Sequence, residues 1–277
     1  MRYTPAPMAR TVAVGAGWVA WAALARRRRI LHVNLEHSAP DRTSGERRRL
    51  VRRTFSNMAA TAVDQFRLPS LAPERLLELF EVRGLEHVDT ALQAGRGLVM
   101  VTGHLGPYEL AAAWMAARGY KVAGMMEDLS PDLLEALATY RSATGMVLVN
   151  MKDGLRAAYR LLNEGYMLCL VADRTIGESR GAIEVPFLGG VRRLPIGPAV
   201  FAQGTGAPII TGFASLNPAR RPRYLVELDA PIFAAGRDAA ERDRLVRHIA
   251  GRMEAAIRRH PDEWYVFQPE WISRGAA

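Results

Sequence analysis

Residues 97–126 read GLVMVTGHLGPYELAAAWMAARGYKVAGMM, and three pieces of that run decide the fold class. GLVMVTG (97–103) is a short, almost unbroken apolar run of the kind a strand buried on both faces shows. YELAAAWMAARG (108–119) carries apolar residues at helical spacing and stops on Gly119, a residue that enters the left-handed region without a Cβ clash. YKVAGMM (120–126) reads as the next strand. Strand, helix and strand in such close succession form the unit of a parallel sheet, because a parallel neighbour can be reached only by a crossover.

The alternation continues downstream. PDLLEALATYRSATG (131–145) is predicted as a helix opened by Pro131, MVLVNM (146–151) as a strand, 154–164 as a helix and YMLCLVAD (166–173) as a strand. A loop leads to a short helix near 197–204, strands at APIITGFASL (207–216) and RYLVELDAPI (223–232), and a long helix over 238–259. The expected fold is α/β, a largely parallel central sheet flanked by helices, with no repeat or low-complexity segment. Ligands of such sheets gather at the carboxyl ends of the strands. Three polar segments leave strands there: GHLGPYE (103–109), MMEDLSP (125–131) and ADRTIGESRGAIEVPF (172–187).

Composition bounds the rest. With 277 residues, 49 % hydrophobic and 23 % charged, the chain can bury a substantial core. Its single cysteine, Cys169, excludes an intrachain disulfide and sits in a strand-like run, where packing is expected rather than nucleophilic work. The net charge of +9 is localised: residues 1–53 hold twelve arginines against Glu36, Asp41 and Glu46, which leaves 25 basic and 25 acidic side chains in the remainder. Within that fifth, TVAVGAGWVAWAALA (11–25) contains Trp18 and Trp21, and RRRR (26–29) follows at once. Fifteen helical residues span about 22 Å, short of a hydrocarbon core of roughly 30 Å. ALA (23–25) resembles a signal-peptidase site, yet four arginines directly after an apolar run oppose export.

The expectation is a basic, membrane-associating helical segment over 1–45, with tryptophans at headgroup depth and arginines facing anionic lipid. An ordinary core helix ending in a basic turn is the alternative. A second helix follows: Thr43 and Glu46 have capping-box spacing, and Leu50, Phe55, Met58, Ala59, Ala62 and Phe66 recur at helical intervals. Arg47, Arg48, Arg49, Arg52 and Arg53 crowd its first turns, against the helix dipole, and an anionic surface would compensate them. Nucleic acid is not the expected partner, because the charge abuts an apolar tryptophan-bearing segment instead of interleaving with aromatics on a recognition surface.

His104 stands just beyond the first strand, and Glu109 falls in the first turn of the helix after it. A neutral imidazole can take a proton from a substrate hydroxyl, and a carboxylate on its other nitrogen fixes the tautomer. The expected pair is therefore His104 as general base and Glu109 as its orienting group. Neither a serine nor a cysteine stands beside them, and no Gly-x-Ser-x-Gly, His-Glu-x-x-His, Walker-type or dinucleotide fingerprint occurs. The other histidines, His32, His37, His87, His248 and His260, are scattered, so no metal is expected. Arg174 leaves a strand end beside Asp173 and is a candidate for holding substrate phosphate or polarising a carbonyl.

GHLGPYEL (103–110) resembles the His-x4-Asp/Glu block of the glycerolipid and lysophospholipid acyltransferase superfamily. Four further blocks in order are similar to its branch of lipid A late acyltransferases and phosphatidylinositol mannoside acyltransferases. They are ARRRRILHVNL (25–35) with ERRRLVRRTFSNMA (46–59), VAGMMEDLSPDLLEALATYRSATGMVLV (122–149), the run from Ala172 to Ala214, and HPDEWYVFQPEW (260–271). The resemblance implies an acyltransferase domain over 46–277. It would move an acyl group from an acyl thioester (acyl-CoA or acyl carrier protein) to a hydroxyl of a lipid or glycolipid, without metal or other cofactor. It gives His104 the base role and Glu109 the orienting role, sets Glu127 and Arg141 where the mannoside enzymes carry a polar pair, and sets Glu184 at a further acidic site position. It also implies the cytoplasmic face of a bacterial inner (plasma) membrane, held peripherally or by a short N-terminal anchor. Glu109 as the motif's last residue leans toward lipid A-type enzymes, whereas residues 125–141 lean toward the mannoside side, so the acceptor stays open between the two. A catalytically silent lipid-binding protein on the same fold is the alternative.

Overall fold

The computed structural model describes residues 5–126, 145–150, 154–175, 181–219, 221–268 and 271–272. Three helices come first: α1 (Ala6–Ala23), α2 (Ala25–Ser38) and α3 (Ser44–Arg67). The helix axes of α1 and α2 meet at 95°, so the apolar run and the four arginines lie on separate helices. α3 begins as the spacing predicts: the Thr43 hydroxyl accepts from the Glu46 amide, and the Glu46 carboxylate accepts from the Thr43 amide at 2.8 Å. α1 packs along α3 with Gly17 against it, where a Cβ would sit 2.8 Å from the Phe55 carbonyl oxygen. A buried carboxylate adds a second tie: Asp64 accepts from Arg10 at 2.6 Å, from Arg223 at 3.1 Å and from the Tyr224 hydroxyl at 2.5 Å.

Residues 68–96, whose pattern specifies no element, hold helix α4 (Pro73–Leu77), strand β1 (Phe80–Arg83) and helix α5 (Leu85–Gln93). β1 is too short to display a period. From there the expected alternation appears: β2 (Leu98–Thr102), α6 (Tyr108–Ala117), β3 (Val122–Met126), β4 (Val147–Asn150), α7 (Gly154–Asn163) and β5 (Met167–Val171). The helix expected over 131–145 falls almost wholly outside the described residues. Next comes a hairpin absent from the sequence reading, β6 (Ala182–Phe187) and β7 (Gly190–Pro195). Its two-residue turn has φ of 50° at Leu188 and 79° at Gly189, the left-handed pair that matches strand twist. α8 (Gly197–Thr205), β8 (Ile209–Leu216), β9 (Tyr224–Leu228) and α9 (Ala239–Arg259) complete the order.

Seven strands form one sheet in the order β1-β9-β8-β2-β5-β3-β4, parallel throughout except for the β8–β9 pair. Helices cover both faces, as a parallel sheet requires. On one side Leu161, Leu162, Phe201, Ile249 and Met253 of α7, α8 and α9 pack on the strands; on the other Val88 of α5 and Leu110, Ala113 and Trp114 of α6 do. The register positions the site. Thr102 pairs with Val171 across β2 and β5, so residues 104 and 173 leave the two strands side by side. The chain reaches β3 from β2 by passing over the position that β5 later fills.

The close approach at Gly17 yields a stability test. Gly17→Val should force α1 off α3 at a cost of roughly 1–3 kcal/mol. Limited proteolysis should then cut within residues 5–24 before the body of the chain. A variant as protease-resistant as the parent would show that α1 does not depend on this contact.

Candidate active site

Beyond Thr102 the chain turns through Gly103 to Pro107 before α6 begins. Gly106 has φ of +53°, and a Cβ there would lie 2.4 Å from the Ala214 carbonyl oxygen, so only glycine fits the turn. The C-terminal stretch holds the turn like an added strand. The Gly106 amide donates to the Glu263 carbonyl at 2.9 Å, and the Tyr265 amide donates to the His104 carbonyl at 2.7 Å.

His104 is thereby fixed against Asp173, which is fully buried. Its ring Nδ1 lies 2.6 Å from Asp173 Oδ1, and its backbone amide donates to Oδ2 at 2.8 Å. The Trp264 indole N–H donates to the same Oδ2 at 2.8 Å. Burial alone would raise this carboxyl. The charge and hydrogen bond of His104, with the Trp264 indole and the His104 amide, hold it instead at about 2. An ionised carboxylate on Nδ1 assigns the proton to that nitrogen and leaves Nε2 as the acceptor. Nε2 points toward the Arg174 guanidinium, whose Nε lies 3.4 Å away, and the Tyr108 ring meets the imidazole edge-on.

The sequence expectation paired His104 with Glu109, and here the structure differs. Glu109 stands in the first turn of α6 as expected, but its carboxylate accepts from the Gln65 side-chain amide on α3. Asp173 occupies the orienting position because β5 is the spatial neighbour of β2. Arg174 does lie beside His104. Glu184 stands exposed on hairpin strand β6 in register with Arg193, and no hydrogen bond among the described residues joins it to His104 or Asp173. Glu127 and Arg141 lie outside the described residues. Three site residues escaped the sequence reading: Asp173, Trp264 and Gln65. Asp173 had a signal, a charge closing an apolar strand. The Pro-x-x-Trp ending at 261–264 had one too.

A narrow cavity of about 90 Å³ runs between α6 and the sheet. Near the strand ends it is lined by Thr102, Tyr108 and Glu109; the rest of the lining includes Gly124 and the side chains of Met100, Met115, Met146 and Met167. Cys169 also lines it, and burial pushes that thiol up to about 12, so it acts as apolar wall rather than nucleophile. Methionine is the flexible filler of apolar cavities, able to reshape around a flexible guest. Behind the His104 turn sits one more buried carboxyl, Glu263. Burial pushes it up to about 7 although its Oε2 accepts from the Leu216 amide at 2.8 Å.

Comparison with known proteins covers nearly all of the chain. A family model described as "Bacterial lipid A biosynthesis acyltransferase" matches residues 1–273. The phosphatidylinositol mannoside acyltransferase of Mycolicibacterium smegmatis is 29 % identical over 232 residues, 81 % of this chain and 73 % of that protein. Its counterpart in Mycobacterium tuberculosis H37Rv is 28 % identical over 215 residues, 75 % of this chain and 66 % of that protein. The lipid A biosynthesis lauroyltransferase of Escherichia coli K12 is 25 % identical over 183 residues, 66 % of this chain and 59 % of that protein.

The two carboxyls predict opposite acid profiles. Asp173 is depressed, from 3.8 to about 2, so its stabilisation is complete above pH 4 and lost as pH falls toward 2. Glu263 is raised, from 4.5 to about 7, so its contribution is complete below pH 4.5 and lost as pH rises through 7. Each effect is worth about 2–3 kcal/mol. Urea denaturation across pH should show Asp173→Asn flattening the acid limb and Glu263→Gln flattening the slope between pH 4.5 and 7. Unchanged slopes in either variant would contradict the corresponding assignment.

Proposed function

The chain belongs to the family of bacterial lipid A biosynthesis acyltransferases, and on that premise we propose that it moves a fatty acyl group from an acyl thioester to a hydroxyl of a lipid or glycolipid. The observation that carries this reading is the pairing of buried Asp173 with half-buried His104 beside a narrow methionine-lined cavity. An acyl chain suits that cavity, and Tyr108, which lines its polar end, also meets the His104 ring, so the base stands next to the place where the thioester would emerge.

In the proposed reaction His104 Nε2 takes the proton of the acceptor hydroxyl as the hydroxyl oxygen attacks the thioester carbonyl. Asp173 stabilises the imidazolium that results. The Arg174 guanidinium beside Nε2 is suited to the negative charge that gathers on the carbonyl oxygen. Collapse of the tetrahedral intermediate breaks the carbon–sulfur bond, and the leaving thiolate takes the proton back from Nε2. The products are an ester and a free thiol. Coenzyme A and acyl carrier protein both supply such a thioester, and the acceptor is of lipid A or phosphatidylinositol mannoside type.

The reading extends to the cytoplasmic face of a bacterial plasma membrane. No exposed residue from Pro5 to Leu24 carries a charge, and Met8, Val12, Trp18 and Val19 of α1 face solvent. Among the described residues no single helix is long and apolar enough to cross a membrane, and α1 with α2 qualifies only as a bent pair. An α1 lying in the headgroup plane fits these facts, with the exposed Arg26, Arg27 and Arg29 of α2 toward anionic lipid. Phe66, exposed near the end of α3, follows Gln65, whose side-chain amide donates to Glu109.

Free-thiol release from a long-chain acyl thioester, with purified protein and a bacterial lipid extract, tests the chemistry. His104→Ala should lower it by about 10²–10⁴-fold, and Asp173→Asn by about 10⁴-fold through the wrong tautomer. Glu109→Gln should cost less than either. Wild-type activity in His104→Ala, or no release with coenzyme A and carrier-protein thioesters alike, overturns the reading.

Val12→Asp with Val19→Asp should release the protein from anionic vesicles in a sedimentation assay, and binding of the parent should weaken with salt. Retention of the double variant on vesicles would sink the α1 assignment.

A further inference from the structure

We propose that an arginine-rimmed cleft, separate from the apolar cavity, binds a phosphate-bearing, polyhydroxylated headgroup, the polar end of the lipid acceptor. The inference rests on the acyl-transfer reading for the word acceptor, and on the cleft alone for the chemistry of the ligand. The cleft encloses about 1220 Å³ between α3, the α2–α3 turn and the end of α9.

Six arginines line it from four separate parts of the chain: Arg42, Arg49, Arg53, Arg223, Arg258 and Arg259. Four carboxyl groups face the same space: Asp41, Glu46, Asp262 and Glu263. Some of these charges are paired within the cleft, Arg42 with Glu46 at 3.5 Å and Arg53 with Asp262 at 2.9 Å. Arg223 and Arg259 pair with Asp64 and Glu227, which do not line it. Arg49 and Arg258 make no ion pair among the described residues; Arg258 donates to the His37 carbonyl at 3.5 Å. An excess of fork-shaped cationic donors therefore meets carboxylates and the side-chain amides of Asn57 and Asn217 in one open space. Guanidinium groups select phosphate, while carboxylates and amides serve hydroxyl groups on both the donating and accepting sides.

The same lining argues against the other anions of this chemistry. Among the described residues no tryptophan, tyrosine or phenylalanine lines the cleft, and the single His260 imidazole is a smaller stacking platform for the base of a nucleotide than those rings. An acidic protein helix would be repelled by Asp41, Glu46 and Asp262. A sugar phosphate is compatible with all three kinds of group.

Position agrees with chemistry. Val14 of α1 forms part of the wall, so the cleft lies beside the helix whose other face is uncharged and exposed. Arg49, Arg53, Asn57 and Ala60 follow one another along one side of α3, which ends near Gln65 and Glu109. By helical rise, Arg53 and Arg49 lie roughly 18 and 24 Å from Gln65 along that axis, a span that a headgroup of several rings can bridge. Asp262 and Glu263 continue directly into Trp264 and Tyr265, which hold Asp173 and the His104 turn. The cleft and the catalytic turn are thus opposite sides of one four-residue stretch.

The test uses the full chain in detergent and the double variant Arg49→Gln, Arg258→Gln, both exposed positions at which folding is not at stake. Calorimetric titration with a disaccharide 1-phosphate should show binding that weakens tenfold or more in the variant. The parent disaccharide and inorganic phosphate should each bind at least tenfold more weakly than the joined molecule. Equal binding by parent and variant, or no binding of the sugar phosphate, overturns the proposal, and so does tighter, variant-sensitive binding of 3′,5′-ADP. In thiol-release assays the variant should raise the acceptor KM about tenfold and hold the thioester KM; a rise in the thioester KM instead assigns the cleft to the donor and overturns the proposal. Vesicle binding must stay unchanged in the variant, since its loss would explain a KM shift without the cleft. Titration needs no turnover: binding without acyl transfer refutes the functional reading alone, and transfer without binding refutes the cleft alone.

Discussion

A buried carboxylate must find compensation, and in this chain the search for it organises the active site. Asp173 has no exposed surface, yet it is held ionised by three donors that come from two distant parts of the chain, the His104 amide and ring and the Trp264 indole. Hydrogen bonds to a charged group are each worth about 1.5–3 kcal/mol net, so losing one leaves a charge in apolar surroundings. One interaction therefore fixes the imidazole tautomer, anchors the turn after β2 to the end of β5, and recruits the C-terminal stretch. That stretch in turn closes over Gly106, where no larger residue fits.

The strand ends were legible in the sequence because burial on both faces writes itself as continuous apolar runs, and His104 was legible because it interrupts one. Its partner was not. Periodicity reports which residues are buried and says nothing about which strand lies beside which. Glu109 is five residues from His104 and on the next helix, so proximity in the chain recommended it. The sheet order β2-β5-β3 brings residue 173 alongside instead, across nearly seventy residues of intervening chain. The same limit hid Trp264, whose place is set by a tail folding back over the turn. Short elements were lost for another reason: β1 has four residues, and hairpin β6–β7 betrays itself only through Leu188-Gly189-Gly190, too little pattern to outweigh a loop.

The N-terminal helices invert the usual logic of a soluble surface. α1 packs one side against α3 through Gly17 and leaves the other apolar, so its two faces differ in partner more than in composition. On the proposed reading a membrane surface supplies the apolar phase against this face, with the neighbouring arginines at its anionic rim. The 95° bend after Ala23 has a consequence for the reading as a membrane surface: it keeps the apolar run and the arginine run from forming one continuous span, and so favours lying on the bilayer over crossing it.

The stretch from Asp262 to Tyr265 joins the two halves of the proposed chemistry. Its first two residues face the arginine cleft, and its last two brace His104 and Asp173. A change within it alters the cleft and the His104 turn together, so on the proposed reading such variants do not separate ligand binding from reaction. Arg49 and Arg258 line the cleft, whereas His104 and Asp173 are bonded to the Tyr265 amide and the Trp264 indole. On the proposed reading, a headgroup seated against Asp262 would bear on the backbone that holds the catalytic imidazole. Acceptor binding and base positioning would then be coupled through four residues of main chain, with no moving domain required.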